Sequence, residues 1–135
     1  MNSFSVASVT ASCAHISQRV LSSLVELEEL AQHLDGDARL QNLDPFPTKL
    51  QQFQLHVEQL HQSLSKATVV SESLQALLTG SLRSCEEVAA AADKQVKRLD
   101  PETISAVNVG AVSTYVDFFE SHGQLFEFMT QTLSL

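Results

Sequence analysis

Apolar residues return along this chain every three or four positions, which is the repeat of an amphipathic α-helix. In the first segment Val9, Cys13, Ile16, Val20, Leu24, Leu27, Leu30 and Leu34 keep this step, predicting a helix from about Ser5 to Leu34. Asp35-Gly36-Asp37 stops it, with Gly36 suited to the C-terminal cap. Pro45 and Pro47 then keep a helix interior out of the next stretch. Thr48 is the expected N-cap of a second helix, with Leu50, Phe53, Val57, Leu60 and Leu64 on its apolar stripe. Its other side is rich in glutamine and reads as an ordinary solvated surface.

A third helical pattern runs from about Thr68 to Leu99 through Val70, Leu74, Leu78, Leu82, Cys85, Val88, Ala92 and Val96. Gly80 lies inside it, and Ser84-Cys85-Glu86-Glu87 resembles a capping box that would restart a helix there. The alanines at 89–92 are small enough to admit a close neighbour. Lys94, Lys97 and Arg98 suit the negative end of the helix dipole. Asp100-Pro101-Glu102 has the order cap, first helical residue, first-turn acid. The last helix then carries Ile104, Val107, Ala111, Tyr115, Phe118, Phe119, His122, Leu125, Phe126, Met129 and Leu133, with a kink expected at Gly123. No stretch alternates apolar and polar residues between turn pairs, so strands are disfavoured.

The fold expected is therefore all-α: an antiparallel bundle of four long helices, five if Gly36 or Gly80 splits one. A length of 135 residues with 44% hydrophobic composition suits one domain, residues 1–135, with a packed core. The expected core is Val9, Ile16, Val20, Leu24, Leu50, Phe53, Val57, Leu60, Leu74, Leu78, Leu82, Val88, Ala92, Tyr115, Phe119 and Leu125.

Charge narrows the partners. The 8 Lys and Arg stand against 16 Asp and Glu, a net charge of −8. Such a body repels nucleic acid phosphates and anionic lipid. From residue 101 onward there is no Lys or Arg, while Glu102, Asp117, Glu120 and Glu127 remain. Tyr115, Phe118, Phe119, Phe126 and Phe128 crowd into this acidic tail, and one helical stripe cannot hold them all. Phe118, Phe128, Tyr115 and Phe126 are the candidate interaction face. The 18 N-terminal residues carry no Asp, Glu, Lys or Arg, but their many hydroxyls dilute them too far for a membrane span. No secretory signal is read at the N-terminus. The apolar Leu133-Ser134-Leu135 ending suggests a module cut from a longer protein.

Reaction chemistry finds no footing. There is no Gly-rich phosphate loop, no CxxC or HExxH, and no GxSxG elbow. His15, His33, His56, His61 and His122 are scattered. Cys13 and Cys85 each sit on an apolar stripe and read as buried, reduced thiols. No enzyme, cofactor or metal is expected. A small-ligand pocket lined by Tyr115, His122 and Met129 is a minor alternative.

Three stretches carry a resemblance: residues 4–12, Phe4-Ser5-Val6-Ala7-Ser8-Val9-Thr10-Ala11-Ser12; the segment from Cys85-Glu86-Glu87-Val88 to Val96-Lys97-Arg98-Leu99; and Tyr115-Val116-Asp117-Phe118-Phe119 with Leu125-Phe126-Glu127-Phe128-Met129 and Leu133-Ser134-Leu135. Together they resemble the N-terminal helical domain of fungal STAND proteins, the NLR-like receptors. The second helix departs from that pattern, with glutamines in place of a more charged face. The resemblance implies a cytoplasmic, non-enzymatic signalling module ahead of a NACHT or ankyrin region. Such a module would act by binding a protein partner or by self-association. The related HeLo-like domains imply the alternative, a membrane-active cell-death effector working through its N-terminal helix.

Overall fold

The computed structural model describes residues 5–67, 69–100, 102 and 109–133. Four long helices make up nearly all of it: α1 (Val6–His33), α2 (Phe46–Lys66), α3 (Glu72–Lys97) and α4 (Val109–Leu133). A 3₁₀ turn, Ala38–Leu43, joins α1 to α2, and no strand occurs among the described residues. The all-α bundle is as the periodicity predicts.

Local chemistry sets the ends. Ser5 caps α1 by accepting from the Ser8 N–H at 3.4 Å, and Ser71 caps α3 by accepting from the Leu74 N–H at 3.3 Å. Gly36 ends the first hairpin arm at φ 77°, a conformation that L side chains resist. Asp37 accepts from the Arg39 N–H at 2.9 Å and holds the Arg39 guanidinium at 2.7 Å, closing the 3₁₀ turn. These hydrogen bonds from Arg39 hold the Asp37 carboxyl below its ordinary pKa.

Two expected boundaries shift. Thr48 is not the N-cap of α2. The cap position is Pro45, three residues earlier, the helix begins at Phe46, and Pro47 sits in the first turn, where its missing N–H costs nothing. Gly80 does not split α3, and Ser84 restarts nothing, because the helix is continuous across both. The fivefold alternative is therefore reduced to four long helices and a 3₁₀ turn. Thr68, Pro101, Ile104 and Val107 lie outside the described residues.

Consecutive helices reverse direction, yet two of the main interfaces join parallel helices. Along α1 and α3, His15 faces Glu86 and Ser23 faces Asp93, so both chains advance together. Along α2 and α4, Phe46 meets Tyr115, Lys49 meets Glu120, and Phe53 meets Phe126. The α2–α4 interface is the most extensive, followed by α1–α3 and α1–α2, while α3 and α4 touch each other little. Around the bundle the order is therefore α3, α1, α2, α4, with an open seam between α3 and α4.

The core forms where these stripes meet. Val9, Ile16, Val20, Leu50, Phe53, Val57, Leu60, Leu78, Leu82, Ala92 and Phe119 are buried, as expected. Leu24, Leu74, Val88, Tyr115 and Leu125 are only partly buried against the same core. Phe53 lies at its centre, with ring centroids 4.8 Å from Phe119 and 5.8 Å from Phe126. Aromatic pairs at this spacing add roughly 0.5–1.5 kcal/mol each beyond burial.

The two glycines within helices have opposite roles. A Cβ on Gly80 would meet nothing within 4 Å, whereas one on Gly123 would stand 3.1 Å from the His56 ring. Gly123 thus lets α4 approach α2 closely, and α4 runs unbroken through it. Gly80→Ala is expected to raise stability by about 0.5–1 kcal/mol through helix propensity alone. Gly123→Val is expected to lower it by about 1–3 kcal/mol through overpacking. Urea denaturation midpoints of the two variants check this pair of opposite signs.

Candidate functional site

The four aromatic residues expected to share an interaction face do not share one. Phe126 is fully buried and stacks toward Phe53, so it belongs to the core. Tyr115 is half-buried, 6.1 Å from Phe46 between ring centroids. Phe118 packs edge-on against Phe119 and is covered by the His122 ring at 4.0 Å. His122 is held in place by a 3.0 Å hydrogen bond between its Nδ1 and the Phe118 carbonyl. Phe128 alone of the four stands clear, 62% exposed. The spacing of Phe119, Gly123 and Phe126 already placed Phe126 on the core stripe, and Phe128 falls outside it.

Other apolar side chains take up the exposed role. Leu21 and Val25, one turn apart on α1, are 48% and 52% exposed. Residues four apart lie on the same face of a helix, so these two form a short apolar stripe. The sequence reading did not single them out, because they sit beside the buried stripe through Val20, Leu24 and Leu27 rather than on it.

The α1–α3 interface holds a polar cluster that the sequence reading also missed. Asp93 is 2% exposed. Its carboxylate accepts from Ser23 Oγ at 3.0 Å, pairs with Lys97 Nζ at 3.0 Å, and lies 3.7 Å from an Arg19 guanidinium nitrogen. About two turns earlier along the same groove, His15 Nδ1 lies 3.6 Å from Glu86. The available signal was an acid on the core stripe between Ala89 and Val96, with a lysine four residues on. Burial pushes the Asp93 pKa up, but hydrogen bonds from Lys97 and Ser23, together with the Lys97 charge, outweigh it and leave the value lowered.

A lowered folded pKa means that the unfolded chain binds the proton more readily. Asp93 therefore contributes stability above its unfolded value of about 3.9, and that contribution is lost as pH falls through the folded value. Asp93→Asn is expected to cost about 1–3 kcal/mol at pH 7 and to flatten the loss of stability below pH 4. Denaturation curves measured from pH 7 down to pH 2 on both proteins test this.

Cys13 and Cys85 are buried and free. Burial pushes both thiols up to about 12, with the Glu86 charge adding to the effect on Cys13 and the Cys13 charge adding to that on Cys85. Both thiols are buried on helices that pack against each other, α1 and α3. At pH 7 neither presents a thiolate. A thiol reagent such as Ellman's is expected to label neither cysteine in the folded protein within minutes, and both in denaturant. Rapid labelling of the folded protein would contradict this burial.

Tyr115 also lines a cavity of about 110 Å³ at the seam between α3 and α4. Phe46, Val96, Leu99 and Val112 form apolar walls there, and Gln95 and Tyr115 bring hydrogen-bonding groups. His122 and Met129 are not part of its lining; Met129 is fully buried in the core. No group of three or more His, Cys, Asp or Glu among the described residues could hold a metal ion. No described helix is long and apolar enough to cross a membrane.

No family model matches the chain, and no curated protein or solved structure matches it either.

Proposed function

We propose that this chain is a non-enzymatic interaction module working by helix–helix association, the role implied by its resemblance to the N-terminal domains of fungal STAND receptors. That resemblance also implies a cytoplasmic setting ahead of a NACHT or ankyrin region. The observation carrying the reading is the exposed pair Leu21 and Val25 on α1. Phe128 supports it as a separate exposed apolar group on the acidic last helix.

Magnitudes give the character of the contact. Fully covering a half-exposed aliphatic side chain gains roughly 1 kcal/mol. Association costs at least about 4 kcal/mol in lost freedom. Two such side chains cannot carry a tight complex, so the contact is weak in one copy and gains strength by repetition or by further surface.

The position of α1 bears on the membrane alternative. Val9, Cys13, Ile16, Val20, Leu27 and Leu30 are buried on α1, which packs on both α2 and α3. Re-exposing the five larger side chains costs about 1.5–3 kcal/mol each, on the scale of a whole domain's stability of about 5–15 kcal/mol. This favours a module that acts with α1 docked.

Light scattering across concentration, with reductant present, tests the reading. A concentration-dependent rise in mass is expected, and Leu21→Asp with Val25→Asp is expected to abolish it while leaving the helical circular dichroism unchanged. A strict monomer up to about 1 mM, or association that survives the double substitution, would sink the proposal.

A further inference from the structure

The cavity between α3 and α4 lies apart from the Leu21–Val25 stripe and serves no role in the association reading. We infer that it is a binding site for a small ligand: one apolar ring, or a branched chain of similar size, bearing a single hydroxyl group. Three observations lead there. Among the described residues the walls are side chains from four places in the chain, Leu43, Phe46, Val96 and Leu99, and Val112 with Tyr115, so the pocket belongs to the tertiary fold. It sits at the one helix seam that direct packing leaves sparse, so an occupant would bridge α3 and α4. Its lining combines hydrocarbon with two residues that carry hydrogen-bonding groups, the half-buried Tyr115 and the exposed Gln95.

Size decides the ligand class. Sites for metabolites and drug-sized molecules span about 300–1,000 Å³. The volume here, about 110 Å³, would leave most of a nucleotide or a lipid chain outside the pocket. An apolar cavity of about 150 Å³ accepts benzene. A benzene-sized body therefore nearly fills this one, and its hydroxyl can reach Gln95 or Tyr115. A ligand that binds only the folded chain stabilises it, so an occupant of this partly open pocket should stabilise the bundle.

The probes are phenol and benzene, titrated into the intact chain and followed by methyl-resolved NMR and thermal unfolding. Phenol is expected to bind saturably, shifting the Val96, Leu99 and Val112 methyl signals. At ten times its Kd it should raise Tm by a few degrees. Benzene should bind several-fold more weakly. Gln95→Ala combined with Tyr115→Phe should remove that preference and leave both probes bound. Val112→Phe, which grows into the cavity, should weaken phenol at least tenfold. Absence of saturable shifts, shifts that map to another part of the bundle, or unchanged binding to a folded Val112→Phe protein would each overturn the inference. The shift map on the unsubstituted chain decides the matter even if Val112→Phe fails to fold.

Discussion

The rest of this bundle depends on the packing of α1 against α2. That pair is the platform on which the other two helices rest, because α3 docks on α1 and α4 docks on α2 while α3 and α4 barely meet. Each docking uses a different means. On the α2–α4 side, large rings interlock, with Phe53 between Phe119 and Phe126, and Gly123 admits the His56 ring. On the α1–α3 side the fit relies on small groups. Cys13 on α1 and Cys85 and Ala89 on α3 are buried, and small side chains let two parallel helices approach closely.

The charged cluster at Asp93 belongs to this second interface. A buried ion pair gains little net stability, because desolvation offsets the attraction. It does penalise misplacement, since a shifted α3 would strand the carboxylate away from Ser23 and Arg19 on α1. Rings therefore fix α4 by shape, whereas hydrogen bonds fix α3 by register. Arg19 and Lys97 keep about half of their surface in water, which makes the cluster less costly than a fully buried triad.

This unequal packing also distributes the apolar surface. Four of the five expected core residues that remain half-buried, Leu74, Val88, Tyr115 and Leu125, lie on α3 and α4, the two helices that meet least. The cavity opens at the same seam. The exposed pair Leu21 and Val25 lies instead on α1, a helix held from two sides. A surface on a firmly held helix is presented in a fixed geometry, which lowers the ordering cost of recognition.

By itself the sequence determined the helical class, the number of long helices and eleven of the sixteen expected core positions. A period of 3.6 residues places Ile16, Val20, Phe53, Val57 and Leu82 on inward faces wherever their helices lie. Ser5 marks the start of α1 for a similarly local reason, whereas α3 starts from Ser71 rather than from about Thr68. Only the tertiary structure decided which helix packs on which, because an apolar stripe records that a face is buried and not what buries it. That choice paired Asp93 with residues 70 or more positions away and left α3 and α4 sparsely packed against each other. Each of these follows from contacts between distant segments, which periodicity along the chain does not encode.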